Sequence, residues 1–360
     1  MKALCIHAGP QALAHIQAQG LQPHDISVIP GAAGGPKGLI LGPIDRYLFD
    51  QWLPRSNQAI DLVGASIGAW RMATACLPDP RAELLALEEA YVHQDYKLAP
   101  GQNRPTPQQV SDDFAANLHR FYDGRIHKVL QHPRYRLHVM TSRGRGLLQR
   151  DTPLRRTVGY GAAYLTNLVN RSAMGGWLER VVFSSPFLGH AQPLPFRVLD
   201  YTTRQFALSE DNFLDAMQAS CSIPFVLNAV HDIAGAPTGA YWDGGITDYH
   251  LHLDYRGTKG LTLYPHFQKN VVPGWLDKKL WWRHAATPFL DTTIVLSPHP
   301  DWVKTLPHGK LPDRTDFMAY QGDLKGRVKV WQTAIAESGR LADEWAEWLH
   351  RPDPRVIQPL

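Results

Sequence analysis

Ser66 stands between Gly64 and Gly68 in the stretch DLVGASIGAW, where an apolar run ends and a helical pattern begins. A serine held on a sharp strand-to-helix turn lifts its hydroxyl clear of the chain, and the crowding there calls for small residues two positions before and after it. Gly64 and Gly68 meet that requirement, so Ser66 is a candidate nucleophile; a glycine-rich loop without chemistry is the competing reading. A serine attacking an ester carbonyl also needs backbone N–H groups that converge on the developing oxyanion. Upstream, PGAAGGPKGLI again joins a strand pattern to a helical one, and Gly34 and Gly35 have no Cβ to stop their amides turning outward. Lys37 and Gly38 complete that motif. The same stretch approaches a phosphate loop, since Gly31 and Lys37 have its spacing. Against that, Pro36 removes an amide where the loop needs glycine, and Gly38 replaces its magnesium-binding hydroxyl.

The proton of the serine needs a base. GAYWDGGITDYH offers Asp243, after Tyr241 and Trp242 and before Gly244 and Gly245. A plain D-G-G turn accounts for these residues equally well. An aspartate with the ordinary pKa of about 3.9 is a feeble base toward a hydroxyl, so catalysis requires a desolvated site, with Trp242 positioned to help exclude water.

The elements that must hold these groups follow a strand–helix alternation, the rhythm of a largely parallel sheet crossed by helices. DISVIPGAAGG reads as strand then glycine loop, PKGLILGPIDRYLFDQWL as a helix, AIDLVGA as a strand and IGAWRMATACL as the helix after Ser66. RAELLALEEAYVHQ and PQQVSDDFAANLHRFY are amphipathic helical patterns separated by DYKLAPGQNRPTP, an irregular loop able to overhang a site. Further strands are expected at RYRLHVMTS, FRVLDYTT, GLTLY and TTIVLS. From Leu324 onward Val328, Trp331, Ile335, Ala342, Trp345 and Leu349 recur at helical spacing, weakened near Ser338 and Gly339. No internal repeat, low-complexity tract or linker divides the chain, so a single α/β domain over 1–360 is expected.

Composition bounds the class. A chain of 360 residues, 44% hydrophobic, can bury a large core, and a net charge of +4 without a long basic run gives no support to nucleic-acid binding. Cys5, Cys76 and Cys221 are odd in number and far apart, which argues against both a disulfide framework and a zinc site. His7, Gly9 and Pro10 interrupt the N-terminal apolar patch, and no run of about 18 apolar residues occurs, so neither a signal peptide nor a membrane span is expected. A cytoplasmic protein, in peripheral contact with membranes at most, fits these features.

Glycine loop, serine turn and D-G-G turn, in this order, resemble the patatin-like acyl hydrolases and phospholipases, which work with a Ser-Asp dyad. ALSEDNFLDAMQASCSIPFVLNAV extends the resemblance, with Ala219, Ser220, Ser222, Pro224 and Phe225 similar to the helix that precedes the family's aspartate. The likeness covers about 26–250, with a helical insertion near 81–125 and a C-terminal extension near 300–360. It implies a three-layer α/β/α sandwich in which Ser66 attacks a lipid carboxylic ester, Asp243 takes its proton, and Gly34 and Gly35 supply the oxyanion hole. Lys37, Gly38, Gly64, Gly68, Gly244 and Gly245 support the motifs. No metal or organic cofactor is implied; the expected partners are a lipid or other acyl-ester substrate and, transiently, a membrane surface. Two departures stand out: Ala33 where the family usually has glycine, and ITDYH where it usually continues with asparagine and proline.

Two other readings compete. In a Ser-His-Asp hydrolase a histidine follows the acid, and His250, His252, His284 and His299 satisfy that order. A lipid-associating protein of the same fold without activity is suggested by HFQKNVVPGWLDKKLWWRHAATPF, where Trp275, Trp281 and Trp282 mix with Lys269, Lys278, Lys279 and Arg283. Its apolar residues do not share one helical face, which favours a buried or lid segment over a membrane helix. Arg143, Arg145, Arg150, Arg155 and Arg156 read as a solvated basic face.

Overall fold

A computed structural model describes every residue except Lys97, Ala99, Pro100, Asn103, Leu188, Ala191 and Leu199. Part of the expected overhanging loop 95–107, and position 199 of the expected strand FRVLDYTT, therefore lie outside the described residues.

Among the described residues eleven strands form one sheet: β1 (Leu4–Ala8), β2 (Ile26–Gly31), β3 (Ile60–Ala65), β4 (Tyr135–Gly144), β5 (Leu178–Ser184), β6 (Thr203–Ala207), β7 (Val230–His231), β8 (Ala240–Asp243), β9 (Leu261–Pro265), β10 (Thr293–Pro298) and β11 (Gln358–Pro359). The main order is β11-β1-β10-β9-β2-β3-β4-β5-β6, with β8 joined to β4 and β7 to β8. The centre, β10-β9-β2-β3-β4, is parallel throughout; antiparallel pairs occur at β1–β10, β4–β5, β4–β8 and β7–β8. The protein is thus α/β with a mostly parallel central sheet.

Both faces of that sheet are covered, as parallel pairing requires. Because side chains alternate along a strand, Ile60 and Leu62 of β3, Leu137 and Val139 of β4, and Val181 and Phe183 of β5 enter one apolar cluster, whereas Val63, Ala65, Met140 and Val182 enter another. Near-continuous runs such as IDLV and LERVVF follow from this two-sided burial.

Two expected elements differ. PKGLILGPIDRYLFDQWL is not one helix but a 3-10 turn (Gly35–Leu41), an α-turn (Gly42–Tyr47), a π-turn (Leu48–Trp52) and a further 3-10 turn (Leu53–Arg55). Pro36, Pro43 and Pro54 each lack the N–H that a continuous ladder needs, and every break falls beside one of them or at the wide turn of Leu48–Trp52. Among the described residues of FRVLDYTT only Thr203 belongs to a strand, β6; Arg197 forms a lone bridge with Asp254, and Asp200 is held through its carboxylate by Arg180. Side-chain anchoring replaces ladder pairing there. At the C-terminus the helical pattern divides as expected, into Leu324–Glu337 and Gly339–His350, with Ser338 between them.

Candidate active site

Register brings Ser66 and Asp243 together. Strand β3 ends with Ala65 opposite Met140 of β4, and the next β4 residue, Thr141, is paired with Asp243 of β8. Strand β8 thus takes up beside β4 where β3 leaves off, so the residue that follows β3 meets the last residue of β8. The Ser66 hydroxyl donates to Asp243 Oδ2 at 2.7 Å.

The C-terminal end of helix Phe213–Cys221 clamps both partners. Ser66 N–H donates to Ser220 Oγ at 3.0 Å, and Ser220 Oγ donates to the Met140 carbonyl at 2.7 Å. Asp243 N–H donates to the Ser222 carbonyl, and Gly244 N–H to the Ser220 carbonyl. Two small polar residues, Ser220 and Ser222, therefore set the separation between Ser66 and Asp243.

Ser66 has φ 56° and ψ −131°, in the left-handed half of the map where a side chain is strained. Neighbouring structure imposes the strain: Gly64 and Gly68 both sit where a Cβ would overlap backbone, of Ala69 in the first case and of Gly31 in the second. Such a conformation costs on the order of 1–3 kcal/mol. Ser66→Gly is therefore expected to raise unfolding free energy by about 1 kcal/mol while Ser66→Ala leaves it nearly unchanged, as read by urea denaturation.

Asp243 and Ser66 are both buried, at 5% and 4% exposure. Burial pushes the Asp243 carboxyl from the usual carboxylate range up to about 6, and the Ser66 hydroxyl, the Arg314 charge and the Gly245 N–H, which donates to Oδ1 at 2.7 Å, hold it from rising further. A carboxylate with that affinity for protons is a much better base than an exposed one, yet still ionised at neutral pH. Trp242 is buried against Tyr160 and Ile246, and Ile246 lines the same cavity as Asp243. Since only the ionised form can accept the serine proton, log kcat/KM for a neutral ester should fall with unit slope below pH about 6 and level off above it. A pH–rate profile flat from 5 to 8 would contradict this assignment of the base.

The glycine loop leaves β2 beside the dyad. Among the described residues, neither Gly34 nor Gly35 donates its N–H to a backbone carbonyl, whereas Ala33 N–H is spent on the Tyr249 carbonyl. Gly35 has φ 58°, which only glycine adopts readily, and a Cβ at Gly34 would overlap the Phe267 ring. Ala33 takes no left-handed conformation, and its methyl lies 2.7 Å from where a Gly245 Cβ would stand. Alanine is thus accommodated at 33 because the D-G-G turn yields the space. ITDYH forms the short helix Gly245–Asp248 and continues to Tyr249 and His250; Asp248 accepts two bonds of 2.7 Å from the buried Arg180, which pins the turn behind Asp243.

Two cavities diverge from the dyad. One, of about 620 Å³, is lined by Ser66, Gly35, Trp70, Phe114, Val226 and Phe317 among others and is mostly apolar. The second, of about 230 Å³, is lined by Asp243, Gly34 and Tyr249 and by the cations Lys37, Lys278 and Arg314. Burial, opposed by Asp313, draws the Lys37 ammonium below its ordinary pKa; burial and the charges of Lys37 and Arg314 do the same to Lys278. Among the described residues, none of these three cations is in an ion pair with a carboxylate. Lys278 and Arg314 are additions to the motif residues. Arg314 comes from the polar C-terminal stretch LPDRTDF, which has no motif, and reaches Gly35 only through the fold.

The four candidate histidines are engaged elsewhere. His250 bonds to Asn270 and Val272, His252 to Val271 and Thr287, His284 to Asp277, and His299 caps Pro300–Val303 through Asp301 N–H. The Ser66 hydroxyl is directed to Asp243 instead. Among the described residues no cluster of His, Cys, Asp and Glu is arranged to hold a metal.

Models of known protein families and curated proteins were both compared with the chain, and neither comparison found a match.

Proposed function

We propose that the protein is a serine acyl hydrolase of patatin-like architecture, a three-layer α/β/α sandwich acting on carboxylic esters of lipids. The observation that carries this reading is the 2.7 Å bond between a strained, buried serine hydroxyl and a buried carboxylate. As Ser66 Oγ attacks the ester carbonyl, its proton passes to Asp243 Oδ2, and the carbonyl oxygen turns negative beside the Gly34 and Gly35 amides. Asp243 returns the proton to the departing alcohol, which leaves an acyl-serine. Water then enters, gives a proton to Asp243 and releases the acid, and the proton goes back to Ser66. The carboxylate's charge passes to the oxyanion during attack and returns when the alcohol or acid departs, so the proton balance needs no further acid or base.

The cavities support a lipid-like substrate. An acyl chain fits the larger, apolar one, and the smaller, cationic one suits an anionic group on the alcohol side, as in a phospholipid or lysophospholipid. The test is a panel of p-nitrophenyl esters and phospholipids with wild type, Ser66→Ala and Asp243→Asn, beside labelling by a fluorophosphonate probe. If wild type is neither labelled nor active, the reading fails; equal activity of all three proteins would also overturn it.

A further inference from the structure

Helix Pro153–Val169 carries its apolar residues on the wrong side for packing. Gly159, Tyr160, Ala163 and Asn167 face inward, while Leu154, Val158, Leu165, Leu168 and Val169 share the opposite face and are all exposed. Leu154 is 75% exposed, Leu165 64% and Val169 89%. A helix of 17 residues extends this stripe over about 25 Å. No acidic side chain occurs within the helix.

Exposed aromatic residues also stand beside the helix. At the C-terminal end Arg283 donates to Asn167 Oδ1 and to the Asn167 carbonyl, which fastens the turn Trp281–Arg283 there; Trp281 and Trp282 are 76% and 55% exposed. In the N-terminal half Tyr160 lies beside the exposed Phe225, whose ring is covered on one face by Arg156. Val226, the next residue, is exposed and also lines the large cavity with Ser66. Phe225 and Val226 thus lie between the inner side of the helix and the cavity mouth.

The charge around it has one sign. From 145 to 178 the chain has five arginines and a single acid, Asp151, which is paired with Arg156. Among the described residues, Arg150, Arg155 and Lys279 are exposed and have no carboxylate partner. Apolar side chains with tryptophan at the edge and cations around them match the acyl and headgroup layers of an anionic bilayer. A second copy of the chain would bring these cations against their own kind, which disfavours self-association through this face.

We infer that the outward face of Pro153–Val169, with Trp281 and Trp282, docks on anionic lipid membranes. This goes beyond ester hydrolysis, and its binding test is independent of that reading. Co-sedimentation with phosphatidylcholine vesicles, with and without phosphatidylglycerol, is measured for wild type, Leu165→Glu, the Trp281→Ala/Trp282→Ala pair, Arg155→Glu and Ser66→Ala. Wild type and Ser66→Ala should bind the phosphatidylglycerol vesicles alike. Leu165→Glu and the double tryptophan variant should bind about tenfold or more weakly, and Arg155→Glu should weaken binding mainly at low salt. Leu85→Glu, which changes an exposed leucine of helix Pro80–Val92, controls for added charge and should bind as wild type. Circular dichroism melts identify any variant that fails to fold, and the remaining variants then decide. The inference is overturned if wild type ignores anionic vesicles or if the folded stripe variants bind as well as wild type. It is also overturned if gel filtration shows a wild-type dimer that Leu165→Glu dissociates.

Discussion

Ser66→Ala and Asp243→Asn should each lower kcat/KM for p-nitrophenyl esters about a thousandfold or more, and Ser66→Ala should abolish fluorophosphonate labelling. The two losses should not add, because the groups act on one proton: the double variant should be about as slow as either single one. Stability should move the other way for the acid. Its carboxyl is shifted from the unfolded range near 3.8 up to about 6, so the folded protein holds this proton more tightly than the unfolded chain does. Asp243 therefore adds stability below the unfolded pKa, and that contribution is lost as pH rises through the folded one. At neutral pH the buried carboxylate is a liability of up to about 3 kcal/mol. Asp243→Asn, being neutral, should then unfold at higher urea than wild type at pH 8 and lose that advantage near pH 4. An inactive and stabilised Asp243→Asn is the signature of a site residue; an inactive and destabilised one would point to a structural role.

Gly68→Ala should be among the most damaging single methyls in the protein. A Cβ there would overlap the Gly31 carbonyl, and one at Gly31 would lie 2.7 Å from the Gly68 carbonyl oxygen. Helix Ile67–Ala75 and strand β2 thus touch backbone to backbone, and this contact sets how far the serine turn stands from the glycine loop. Rigid elements on both sides leave no flexible side chain to yield. A loss of about 3 kcal/mol or more is expected in urea denaturation, and any protein that does fold should have lost most of its esterase activity, since the Gly34 and Gly35 amides move with β2. By contrast Gly161→Ala, on the exposed face of Pro153–Val169 with nothing near its added Cβ, should be neutral or slightly stabilising.

Much of the chemistry could be read from local sequence because each motif is a short-range steric demand. Gly64 and Gly68 around Ser66, and Gly35 at a left-handed position, are residue types forced by backbone crowding or by φ, and such demands act within a few residues. The strands β2, β3, β4, β9 and β10 were equally readable, since two-sided burial writes itself as an unbroken apolar run. Proline was underestimated in PKGLILGPIDRYLFDQWL, where the apolar spacing is helical but the missing N–H groups of Pro43 and Pro54, with the wide turn Leu48–Trp52, divide the turns.

Other features depend on partners remote in the chain, so no local pattern announces them. Helix Pro153–Val169 has a clear apolar stripe, yet periodicity alone does not say whether a stripe is buried or bare; only the packing of Tyr160 and Ala163 beneath it settles that. Arg314 and Lys278 reach the cationic cavity from segments without motifs. What the sequence determined by itself was the set of candidate groups and the turns that carry them, because steric and torsional limits are local. What the tertiary structure alone decided was their meeting: the β4 register that seats Asp243 one residue beyond Ala65, and the burial that raises its pKa, both of which arise from contacts between residues far apart in sequence.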